Sequence, residues 1–131
     1  MNPRNLNETV ALRLALARIV QLTTTPSELR VVSWAGEELH AGPELGEAEQ
    51  WMAARLVRLC RSLGEQMTPW QESAVALRDG ELHGEAIAFD RRVIYVSVMR
   101  GGGRERGFRA QALVMEQRRR EAMARAGEAC R

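Results

Sequence analysis

Apolar and polar positions group most clearly between Ser73 and Met99, into three runs of extended type. Ser73–Arg78, Glu81–Phe89 and Arg92–Met99 each read as extended chain, separated by Asp79-Gly80 and Asp90-Arg91. Asp-Gly between two such runs signals a tight hairpin, because a type I′ turn needs positive φ angles that both residues tolerate. Three consecutive antiparallel strands follow. The last is apolar on both faces, with Val93, Tyr95 and Met99 on one and Ile94, Val96 and Val98 on the other. A strand of that kind is covered on both sides, so it belongs inside a sheet and not at its edge.

The remaining chain supplies the cover. Leu12, Leu16 and Ile19 recur at helical spacing within Glu8–Leu22, and Val10, Leu14 and Ala17 widen the stripe. Asn7 is the expected N-cap, and Thr23-Thr24-Thr25-Pro26 ends the helix. Glu28–Val32 and Glu38–Ala41 read as short strands around a turn at Trp34–Glu37, and Gly42-Pro43 breaks the chain. Leu45–Glu65 carries the strongest helical pattern, with Met52, Leu56, Leu59 and Leu63 on one stripe, Glu47 and Glu49 in the first turn and Gly64 as C-cap. Arg100–Gly107 reads as a loop. Phe108–Ala126 reads as a last helix, with Phe108, Ala112, Met115 and Ala122 near one face and Arg118-Arg119-Arg120 toward solvent.

The element order α-β-β-α-β-β-β-α predicts an α+β fold, a single five-stranded antiparallel sheet with helices on its faces. The 131 residues form one domain, with polar residues 1–6 at the start and a basic helix 108–126 at the end. Hydrophobic residues at 45% and charged residues at 27% allow an ordinary core without disulfides or metal. A net charge of +2 is too small to indicate nucleic acid by itself, but the distribution is uneven: Arg91–Arg131 holds eleven Arg against four Glu. Cys60 and Cys130 have no metal-like spacing and fit a reducing compartment. With no signal-peptide pattern and no run of about 20 apolar residues, a cytoplasmic protein without membrane insertion is expected.

The order and lengths of the elements resemble the Roadblock/dynein light chain family, which includes small bacterial GTPase regulators. Three stretches carry the resemblance. They are the hairpin Leu29–Ala41 leading through Glu44-Leu45-Gly46-Glu47-Ala48-Glu49 into Trp51–Val57, the ending Leu63-Gly64-Glu65, and Arg78-Asp79-Gly80-Glu81 followed by Arg92–Val98. Two features depart from the family pattern: Ala35-Gly36 stands where many members have Asp-Gly, and the Gly- and Arg-rich loop Arg100–Gly107 is foreign to it. The resemblance implies a dimer of like domains, either a homodimer or a pair with a related Roadblock-type subunit. It further implies a non-enzymatic role in signalling: binding or regulating a Ras-like small GTPase, or scaffolding a larger complex. Trp51, Met52, Arg55, Leu59 and Val75 are then the subunit-contact candidates.

No catalytic or metal-binding constellation stands out, and no cofactor is expected. His83 beside Glu85 reads as a solvated pair on a strand. The loop Arg100–Gly107 has glycines that let backbone N–H groups converge before a helix start, but it lacks Gly-Lys-Ser/Thr. Arg100, Arg104, Arg106, Arg118 and Arg119 are the candidates for contact with an acidic partner or an anion. A nucleic-acid or anion-binding protein using this basic third is the alternative function. Nucleic acid is disfavoured because Glu residues interleave and stacking aromatics are absent nearby. A small-molecule sensor of PAS or GAF type is the weaker alternative.

Overall fold

The computed structural model describes residues 10–18, 29–40, 44–67, 72–101 and 108–129. Asn7, Ile19, Thr23–Pro26, Gly42-Pro43, Arg104 and Arg106 lie outside them. Helix α1 covers 10–18, followed by β1 (Leu29–Ser33), β2 (Glu38–His40), α2 (Glu47–Glu65), β3 (Ser73–Asp79), β4 (Leu82–Ala88), β5 (Val93–Arg100) and α3 (Phe108–Ala129). All strand pairs are antiparallel, in the order β2-β1-β5-β4-β3. The α+β architecture and element order match the expectation, and β5 lies at the centre of the sheet.

β5 divides the interior as its alternation requires. Val93 and Tyr95 pack with Leu12 and Leu16 of α1, Val31 of β1 and Met115 of α3. Ile94, Val96 and Val98 pack with Met52, Leu56 and Cys60 of α2 on the opposite face. Beneath α2, β4 turns Gly84, Ala86 and Ala88 toward the helix. A Cβ at Gly84 would lie 2.5 Å from Leu56 Cδ1 and 3.0 Å from Met52 Sδ, so this row of small residues lets α2 settle close to the sheet.

Three local expectations are corrected. The β3–β4 hairpin forms, but Asp79 pairs with Leu82, which makes Gly80-Glu81 the two-residue loop. Gly80 has φ +60° and no described non-glycine residue has positive φ. That is the φ pattern of a type II′ turn, with glycine leading, and not of type I′. Gly64 does not cap α2; the cap is Gln66, whose N–H donates to the Leu63 carbonyl. Gly64 is buried two residues earlier, packed so closely that a Cβ there would meet Trp34 Cη2 at 2.5 Å. In α1, Leu12 and Leu16 are buried as expected, whereas Val10, Leu14 and Ala17 face solvent.

The Trp34–Gly64 contact gives a first prediction. Gly64→Val forces a rigid indole off the helix and should destabilise the fold by about 1–3 kcal/mol, the usual cost of overpacking. A lowered thermal midpoint together with an altered near-ultraviolet tryptophan spectrum is the expected result.

Candidate interaction surface

The two edges of the sheet are built differently. β2 is three residues long, its neighbour β1 is bulged between Val31 and Val32, and Arg30 Nη1 donates to Glu38 Oε1 across the pair at 2.7 Å. Short length, irregular register and charge are the usual guards against further pairing. β3 has none of these in its body. It runs Ser73-Ala74-Val75-Ala76-Leu77-Arg78-Asp79 and, among the described residues, β4 is its only strand neighbour. Its charges sit at the far end, and one row of its backbone donors and acceptors has no described strand opposite.

Helix α2 lies along this edge. Val75 and Leu77 tuck partly beneath it. Trp51 is 62% exposed and Leu59 39%, and the Arg55 guanidinium stacks over the Trp51 ring, 5.8 Å from its centre. Two hollows open along the margin. One, of about 720 Å³, is lined by Trp51, Arg55, Leu77 and Arg78 among others; the second, of about 450 Å³, by Leu59, Leu63, Val75 and Ala76 among others. Trp51, Arg55, Leu59 and Val75 therefore come together as one surface. Met52 does not join them. It is buried against Gly84 beneath the helix and holds α2 to its own sheet, reaching only the floor of the first hollow.

The basic candidates scatter. Arg100 Nε donates to Glu49 Oε1 at 2.6 Å, and Glu49's own backbone N–H, then this Arg100 bond, hold its carboxyl below the usual range. Arg118 is exposed. Arg119, expected in solvent, is 2% exposed and forms the centre of a buried network. Its Nε donates to Glu116 Oε2 at 2.9 Å, and its Nη2 to Asp90 Oδ2 at 2.6 Å. The Tyr95 hydroxyl donates to the same Glu116 oxygen at 2.8 Å, and Arg120 Nε to Oε1 at 2.8 Å. A helix turn brings Glu116 and Arg119 together, and both face the sheet from α3.

The electrostatics follow from burial and pairing. Burial alone would raise the Glu116 carboxyl, but the hydrogen bonds and charge of Arg119, with Tyr95 and Arg120, outweigh it and hold the carboxyl below its ordinary value. Burial would lower Arg119, but Glu116 and Asp90 raise it further above its ordinary value. Burial, then the Glu116 charge, drives the Tyr95 phenol far up. All three groups are fixed in one charge state near neutrality, which suits a structural role.

Ser73 and Cys60 are tied into packing. Ser73 Oγ donates to the Cys60 carbonyl at 2.6 Å and fastens β3 to α2, while burial pushes the Cys60 thiol up. His83 Nε2 lies 3.4 Å from Glu85 Oε1 on one strand face, but both side chains are partly buried between β3 and β5 and are not the solvated pair expected. Among the described residues, no group of three or more His, Cys, Asp or Glu side chains is placed to hold a metal ion, and no helix is long and apolar enough to cross a membrane.

No protein-family model matches the chain, and no curated protein or solved structure matches it.

Proposed function

We propose that this chain is a non-enzymatic interaction module that works as a dimer, two copies joining along β3 with their α2 helices side by side. The observation that carries this reading is the unguarded β3 edge flanked by exposed Trp51 and Leu59. Strand addition satisfies the open backbone row, and the neighbouring apolar side chains supply the buried centre that a stable interface needs. The resemblance to the Roadblock family extends the reading to its partner, a Ras-like small GTPase or a signalling scaffold presented with a joined sheet and paired helices.

The alternative through the basic carboxy-terminal third has less to draw on. Arg119 is committed to the core, and Arg100, Arg109 and Arg120 are engaged with Glu49, Glu72 and Glu116.

The partner is tested by titrating the purified chain with Ras-like GTPases encoded by the same genome, loaded with GDP or with a non-hydrolysable GTP analogue. Saturable binding that depends on the nucleotide is the expected result. Equal failure in both states, with nucleotide exchange and hydrolysis unchanged, would overturn the GTPase assignment.

A further inference from the structure

A second apolar surface lies on the opposite face of the sheet, and a dimer along β3 leaves it uncovered. α1 and α3 share a core with β1, β4 and β5 to which β3 contributes nothing. α1 is apolar around almost its whole circumference. Residues 10–18 read Val-Ala-Leu-Arg-Leu-Ala-Leu-Ala-Arg, yet Val10 is 50% and Leu14 68% exposed. A helix apolar all round belongs in an interior. Here Leu12 and Leu16 meet the sheet, and Val10, Leu14 and Ala17 form a second stripe pointing away from it.

The charge beside that stripe specifies what fits it. At about 100° per residue, Arg13 and Arg18 fall on opposite flanks of the Val10–Leu14–Ala17 line. α1 carries no acidic residue within 10–18. Arg13 approaches Glu37 only at 3.9 Å, with both side chains half exposed. On α3, which shares this core, Val114 is 48% exposed, and Arg118, Glu121 and Arg125 are exposed on the same side.

We infer that the outer face of α1 docks an amphipathic helix of a partner protein whose apolar stripe is bordered by carboxylates. A helix laid along α1 covers Val10 and Leu14 and sets its acids against Arg13 and Arg18, the helix-in-groove mode of recognition. A second copy of this chain fits less well, because α1 offers no carboxylate within 10–18 to answer the Arg13 and Arg18 of its twin. An anionic bilayer fits less well. Two exposed aliphatic side chains on α1 offer less apolar area than one myristoyl chain, which alone binds membranes only marginally.

The test uses two designed helical peptides with the same leucine stripe, one flanked by Glu and one by Arg, and vesicles of equal parts phosphatidylglycerol and phosphatidylcholine. The inference expects the full chain to bind the Glu-flanked peptide, to ignore the Arg-flanked one, and not to sediment with vesicles. Leu14→Glu, and separately the pair Arg13→Glu and Arg18→Glu, should weaken peptide binding by about tenfold or more, as loss of an interface anchor does. Ala76→Lys, placed on the β3 edge, should leave it unchanged, which separates this surface from the proposed dimer. Failure of both peptides, equal binding of both, or vesicle binding without peptide binding would overturn it. A Leu14→Glu chain that melts well below the parent would do the same, because Leu14 would then be a core residue.

Discussion

Arg119→Met is expected to destabilise the fold by about 3–5 kcal/mol, the usual cost of removing one partner from a buried ion pair. For a domain of this length that is a fall of about 10–20 °C in thermal midpoint. The reason is specific. Without Arg119 the Glu116 carboxylate is left inside, facing Asp90 on the adjoining turn, with only Tyr95 and the exposed Arg120 to answer it. Glu116→Gln combined with Arg119→Met should recover at least half of the loss. The amide still accepts from the Tyr95 hydroxyl, and no unpaired charge remains at that position. If the double variant is as unstable as the single one, buried charge is not what the network balances.

The same network sets a pH dependence. Glu116 is held below its unfolded value, which lies at about 4.3. Its contribution is fully present above that value and is lost as pH falls through the folded one. The stability difference between the parent chain and the variant carrying both Glu116→Gln and Arg119→Met should therefore narrow as pH falls below about 4, and stay constant from about 5 to 8. Denaturant titrations of both proteins across that range measure it.

The second large effect concerns the α2–β3 surface. Trp51→Ala is expected to weaken self-association by about 30- to 1,000-fold, corresponding to the 2–4 kcal/mol that a central tryptophan typically contributes at an interface. It should leave the folded subunit nearly as stable, since the ring is mostly exposed and gives up only its stacking with Arg55. Ala76→Lys acts on the strand itself. Ala76 is exposed at the middle of β3, and a lysine there is the guard that this edge lacks. Sedimentation equilibrium measures both.

The sheet was readable because turn signals at Asp79-Gly80 and Asp90-Arg91 bound runs of extended type. β5 announced two covered faces, and each side chain lies on the side its parity dictates. Helix α2 was readable from a stripe that repeats from Met52 to Leu63, about three turns, although the buried line runs Met52, Leu56, Cys60 and Gly64. What escaped depends on contacts between positions far apart in the chain. A run of three arginines in α3 has the same composition whether all three face water or the middle one turns inward. Only Glu116 one turn back, and Asp90 in the β4–β5 turn, decide that Arg119 does. Gly64 followed the pattern of a cap because the indole that requires it, Trp34, lies thirty residues earlier. Met52 shares its stripe with Leu59, and nothing local separates them. It is the absence of a side chain at Gly84 that admits Met52 to the interior. Helix α1 is the converse case, since its pattern promised more burial than one subunit provides.

The decisive measurement is the solution mass of the chain, by sedimentation equilibrium over a range of micromolar concentrations. A mass of twice the 14.7 kDa chain for the parent, falling to 14.7 kDa for Ala76→Lys with the thermal midpoint retained, is the result expected if β3 is the joint. A parent chain that stays at 14.7 kDa at every concentration would contradict it.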